Sequence, residues 1–142
     1  MLADKDYCDY DTCVALKELG YKVPTSAYYI TNDTTLYFVS NPFRGGYAID
    51  CFYSHNSLRE GVVTSNYIDA PTMWETQKWL REEKKIHIEV LYQPLTWTCK
   101  IYKLTTYEFI KGYTFFVSYE EALLEGVRAS IKILQDEQKK SN

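Results

Sequence analysis

The chain has 142 residues, 46% of them hydrophobic and 25% charged, which is the size and balance of one compact globular domain. Its formal net charge is −3 at pH 7, and the basic residues Lys78, Arg81, Lys84 and Lys85 are interleaved with Glu75, Glu82 and Glu83, so duplex nucleic acid is not an expected partner. No stretch approaches the ~18 apolar residues of a membrane-crossing helix, and the opening MLADKDYCDYDTC lacks a signal-peptide pattern, so no membrane partner is expected and cytoplasmic residence is.

Residues 11–19 are predicted to be helical. Asp9 or Asp11 can cap the first free N–H groups. Cys13, Leu16 and Leu19 share an apolar face with Val14 beside them, and Gly20 stands where a left-handed terminator is wanted. The acidic run Asp6, Asp9 and Asp11 reads as capping and dipole compensation, because the glycine and final glutamate of a calcium loop are missing. "YYIT" and "TLYFVS" then flank Asn32 and Asp33, the pattern of a β-hairpin. Residues 41–46, "NPFRGG", form a loop without a phosphate-binding glycine pattern. Phe43 and Arg44 at its tip are interface candidates, since aromatic and arginine side chains dominate binding hot spots. "YAIDCFYS" is the next strand, with Tyr47, Ile49, Cys51 and Tyr53 on its apolar face. Residues 55–66 are the longest candidate loop.

Thr72 and Glu75 make a capping box for a second helix, with Asp69 as an alternative start. Met73, Thr76, Gln77 and Leu80 share a face, and Trp74 and Trp79 lie beside it. At "IHIEV" the period switches from 3.6 to 2: Ile86, Ile88, Val90 and Tyr92 point one way, His87 and Glu89 the other. "QPLT" turns the chain, and "WTCKIYKL" returns with Trp97, Cys99 and Ile101 on one face. Residues 105–111 match neither period, and "YTFFV" follows Gly112 as a last apolar run. Ser118 and Glu121 form the capping box of a final helix, with Val117 placed to staple onto Ala122. Its stripe of Ala122, Leu123, Val127, Ile131 and Leu134, thinned by Gly126 and Ser130, suits close approach to a sheet. The polar residues 136–142 are expected to fray. A helix followed by two strands thus occurs twice, with negligible identity between the halves.

The stretches "YDTCVALKELG", "APTMWETQKWLREEKKIHIEV" and "FVSYEEALLEGVRASIKIL" resemble a pattern in short uncharacterised proteins of gut Bacteroidales genomes, their prophages and mobile elements. That resemblance implies a bacterial or phage cytoplasmic context. The family has no assigned activity, so it implies no chemistry and no functional residue.

Catalytic and metal-binding patterns are weak. The four cysteines, Cys8, Cys13, Cys51 and Cys99, are expected as free and mostly buried thiols, and no second close pair follows Cys8 and Cys13 to complete a zinc site. Cys51 and His55 invite a thiol nucleophile, but four residues of strand hold them roughly 13 Å apart. His87 and Glu89 read as the polar side of a strand. No cofactor or metal is therefore expected. Trp74 and Trp79 differ: five residues along a helix is about 140° of net rotation, so both cannot occupy one narrow stripe. One of them flanks the core or meets a partner.

The expectation is a single α+β domain over residues 1–142, a mostly antiparallel sheet with about three helices packed on it. Trp74, Trp79, Phe43 and Arg44, together with fourteen tyrosines, point to a non-enzymatic protein-interaction module, self-associating as a homodimer. The alternative is single-stranded nucleic-acid or nucleoprotein binding on Tyr28, Tyr37, Tyr47 and Tyr53. A thiol hydrolase using Cys51 or His55 ranks last.

Overall fold

In the computed structural model, which describes residues 3–38 and 67–141, the chain divides into two compact units, Met1–Thr72 and Met73–Asn142. Among the described residues, three α-helices and two three-stranded antiparallel sheets make an α+β fold, the class expected from the sequence, with the strands shared between two sheets. Among the described residues no helix is long and apolar enough to cross a membrane.

In the first unit, a 3-10 turn at Asp4–Asp6 precedes α1, Tyr10–Glu18. Asp9 is the cap: its Oδ1 accepts from the Thr12 N–H at 2.9 Å. At the other end the Gly20 N–H donates to the Lys17 carbonyl at 3.1 Å and the Tyr21 N–H to the Leu16 carbonyl at 2.9 Å. That bond pair requires a left-handed residue between them, and Gly20 supplies it at φ +96°. Cys13, Leu16, Leu19 and Tyr21 are buried, as the apolar spacing demands.

β1, Ala27–Ile30, lies between β2, Tyr37–Phe38, and β3, Tyr67–Asp69, both antiparallel to it. Asn32 takes the left-handed conformation at φ 67°, and the Asp33 N–H donates to the Ile30 carbonyl at 2.9 Å, so the expected hairpin turn forms. β1 alternates: Ala27 and Tyr29 are buried, Tyr28 and Ile30 half-buried. α1 lies against β3. An isolated bridge joins Tyr7 to Thr72, and the Cys8 N–H donates to the Pro71 carbonyl at 2.9 Å. The predicted loops at 41–46 and 55–66 and the strand between them lie outside the described residues.

In the second unit, α2 is Met73–Glu83 and buries Met73, Thr76, Trp79 and Leu80. β4, Ile86–Gln93, and β5, Thr96–Lys103, pair without interruption from Ile86↔Lys103 to Gln93↔Thr96. Pro94 and Leu95 are therefore the two central residues of a tight turn. β6, Glu108–Phe116, pairs with β5 and absorbs the stretch that matched neither period. Its register slips twice, between the pairs at Trp97 and Cys99 and again between those at Ile101 and Tyr102. Each slip inserts a residue into β6 and breaks its alternation.

α3, Tyr119–Ser141, packs on β4 and β5. The Glu121 N–H donates to Ser118 Oγ at 3.1 Å, as a capping box requires, but Glu121 Oε2 accepts from the Val117 N–H at 3.3 Å, one residue earlier than the standard box. The expected staple does not form. Ala122 is fully buried, whereas Val117 is 83% exposed, because the bond to Glu121 holds its backbone while its side chain turns outward. The helix also continues through residues 136–141, where fraying was expected; Glu, Gln and Lys are good helix formers, and Glu137 pairs with Lys103 of β5 at 3.1 Å. Gly126 lets α3 approach β4: a Cβ there would stand 2.5 Å from Ile88 Cγ2. Ile88, Ile101, Leu123 and Val127 fill the space between, each worth roughly 1.5–3 kcal/mol of burial.

Candidate interaction surface

The second unit displays large apolar side chains at one end of its sheet. Tyr92 is 62% exposed, Leu95 95%, Phe115 84% and Val117 83%. Strand register gathers them. Tyr92 pairs with Trp97, and Trp97 with Phe116, so one row crosses all three strands. Leu95 tips the turn joining the first two strands, while Phe115 and Val117 flank Phe116. The half-buried Trp97 ring meets Tyr92 edge-on at 5.0 Å and Tyr119 at 5.6 Å. Thr96 Oγ donates to the Phe116 carbonyl at 3.3 Å.

Backbone geometry marks two of these residues further. Leu95 and Phe115 both have φ 70°. A left-handed conformation costs an L-residue roughly 1–2 kcal/mol, and bulky residues rarely adopt it. Leu95 occupies the place where a turn with proline before it takes Gly or Asn. Phe115 sits in one of the register slips of β6. Neither side chain repays the strain by burial. At the other end of the sheet Tyr107 is 89% exposed at φ 57°, and Phe109 is 53% exposed. Phe109 has an internal role, since its ring meets Tyr102 at 5.7 Å and covers Gly112.

The predicted site residues fall in different places. Trp79 is only 6% exposed and belongs to the core, with Lys84 Nζ 5.4 Å from its ring centroid. Trp74 is half-buried, so it is the tryptophan that flanks the core. Phe43, Arg44, Tyr47, Tyr53, Cys51 and His55 lie outside the described residues. Tyr28 and Tyr37 do come together: their rings stack at 5.6 Å and 20°, and Tyr67 meets Tyr28 edge-on at 5.4 Å. The Tyr37 hydroxyl donates to Asp33 Oδ2 at 2.9 Å. That bond raises the Tyr37 pKa, while hydrogen bonds from Thr35 and Tyr37 lower that of Asp33.

The described cysteines are not arranged as nucleophiles. Cys13 Sγ donates to the Cys8 carbonyl at 3.5 Å, and burial pushes the thiol well above its ordinary pKa. Burial also raises Cys99. The Tyr29 hydroxyl donates to the same Cys8 carbonyl at 3.0 Å, and burial carries its pKa up to about 12. His87 and Glu89 share the sheet face with Tyr102, whose hydroxyl reaches Glu89 Oε1 at 3.5 Å; His87 Nδ1 is buried without a hydrogen-bond partner. Among the described residues no three His, Cys, Asp or Glu side chains converge on a metal-sized site.

In the sequence "QPLT" is legible only as a turn and "YTFFV" only as an apolar run. The available signals were a leucine after proline in a two-residue turn and a strand with no polar alternation. No family model, curated protein or solved structure matches the chain.

Proposed function

We propose that the chain is a non-enzymatic protein-interaction module that binds a partner through Tyr92, Leu95, Phe115 and Val117. The observation that carries this reading is the coincidence of exposure and strain: Leu95 and Phe115 are among the most exposed apolar residues described, and both hold left-handed backbone. Stability favours Gly or Asn at such positions, so large apolar side chains there are retained for contact. Photo-crosslinking side chains at positions 95 and 115, in cells expressing the chain, should yield discrete protein adducts. The same group at exposed Thr105 should not. Equal labelling at all three positions, or none, refutes the reading. The expected self-association is checked separately, by the concentration dependence of sedimentation.

The stacked Tyr28 and Tyr37 favour a second reading, single-stranded nucleic-acid binding on the first sheet. Against it, the two rings occupy each other's faces, and the Asp33 carboxylate beside Tyr37 repels phosphate. Quenching of tyrosine fluorescence by oligothymidine at low salt would support it, and unchanged emission would dismiss it.

A further inference from the structure

We infer that the occupant of this apolar end is a cationic amphipathic segment of another protein, with apolar side chains on Leu95 and Phe115 and lysine or arginine meeting Glu120 and Glu121. The inference rests on the interaction reading above and names the partner's chemistry. Its basis is charge. Residues 91–99 and 112–127 contain no lysine, arginine, histidine or aspartate. Their only ionisable side chains besides tyrosine and cysteine are Glu120, Glu121 and, one turn further on, Glu125. Glu120 and Glu121 are exposed at the start of α3, directly after Val117 and Ser118. Within these two segments the apolar centre is thus flanked by charges of one sign, with Lys100, Lys111 and Arg128 just beyond them.

Flanking charges of one sign select among occupants, because juxtaposed like charges are unfavourable and opposite charges steer association. A second copy placed by two-fold symmetry on the same patch presents carboxylates and no cation of these segments to the first. An anionic membrane surface is repelled by the same carboxylates. A basic segment with an apolar stripe satisfies both features: its stripe covers the exposed side chains, and its cations meet the glutamates at the solvent-accessible edge.

The test uses the full chain and two fluorescent synthetic peptides, an amphipathic helix of Leu and Lys and its counterpart with Glu for every Lys. The Leu/Lys peptide should bind in an anisotropy titration and the Leu/Glu peptide should not. Leu95→Ser with Phe115→Ser should weaken binding about tenfold or more, the scale of losing hot-spot residues. Glu120→Lys should weaken it several-fold and flatten its salt dependence. Equal binding of both peptides, or wild-type binding by the double variant, overturns the inference. So does dimerisation that the double variant abolishes, or co-sedimentation with phosphatidylserine vesicles that depends on Leu95. If crosslinks form at positions 95 and 115 while neither peptide binds, the interaction reading stands and the cationic partner falls.

Discussion

The two units use left-handed backbone in opposite ways. In the first, Gly20 ends α1 and Asn32 turns the β1–β2 hairpin, and both are residue types that accept that conformation readily. In the second, Leu95, Tyr107 and Phe115 take the same conformation with large side chains, each more than four-fifths exposed at 95%, 89% and 84%. The first unit has matched residue to backbone. The second has kept side chains that its backbone does not want. Lys85, at φ 57° between α2 and β4, shares the conformation, so the contrast lies in the exposed apolar side chains.

If the strained end were structural, altering it would cost what altering the core costs. The core sets the scale. Ile101→Ala or Leu123→Ala, each at a fully buried position, should lose about 2–5 kcal/mol in urea unfolding. Gly126→Ala should lose about 1–3 kcal/mol, because its Cβ would collide with Ile88 where α3 crosses β4. Gly20→Ala should lose about 1–2 kcal/mol by backbone strain alone, since no atom lies within 4 Å of the added Cβ. Leu95→Gly and Phe115→Asn should depart from this series, leaving stability unchanged or raising it by up to about 1 kcal/mol while removing crosslinking. A core-sized loss at either position would erase the contrast between the units.

The smallest expected effect is alkaline. Tyr29 has a raised pKa in the folded chain, so the stability it contributes is complete below pH 10 and is lost as pH rises from 10 to about 12. Cys13 shifts in the same direction. Tyr29→Phe should reduce the fall in melting temperature across that range.

Much of this architecture was legible because it is local. Asp9, Gly20, Asn32, Ser118 and Glu121 each act within a few residues of their own position, and their chemistry determines where elements start and stop. The switch of period at Ile86 is local too, and it placed β4 and its buried Ile88 correctly. What could not be read depends on distant partners. β3 is three residues long, and its strand character comes from pairing with β1 nearly forty residues earlier in the chain. β6 lost its alternation to two register slips that only its pairing with β5 reveals. The divergence of Trp74 and Trp79 followed from helical geometry, but which of them enters the core depends on neighbours outside α2. The apolar end was hidden for the same reason: Tyr92, Leu95, Phe115 and Val117 span twenty-six residues of sequence and come to one end of the sheet only through strand register.

The slips in β6 have a consequence for solubility. A chain that shows Phe109, Phe115 and Val117 to solvent beside a sheet edge has the composition of a fibril seed. Cross-β stacking needs a long, flat ladder of backbone groups, and β6 is interrupted twice within nine residues. Among the described residues β6 is an edge strand, and its slips deny an incoming strand a continuous backbone template. Deleting Ile110, the residue inserted at one slip, should straighten that part of the edge, and growth of thioflavin-positive material by the deletion variant alone would reveal it.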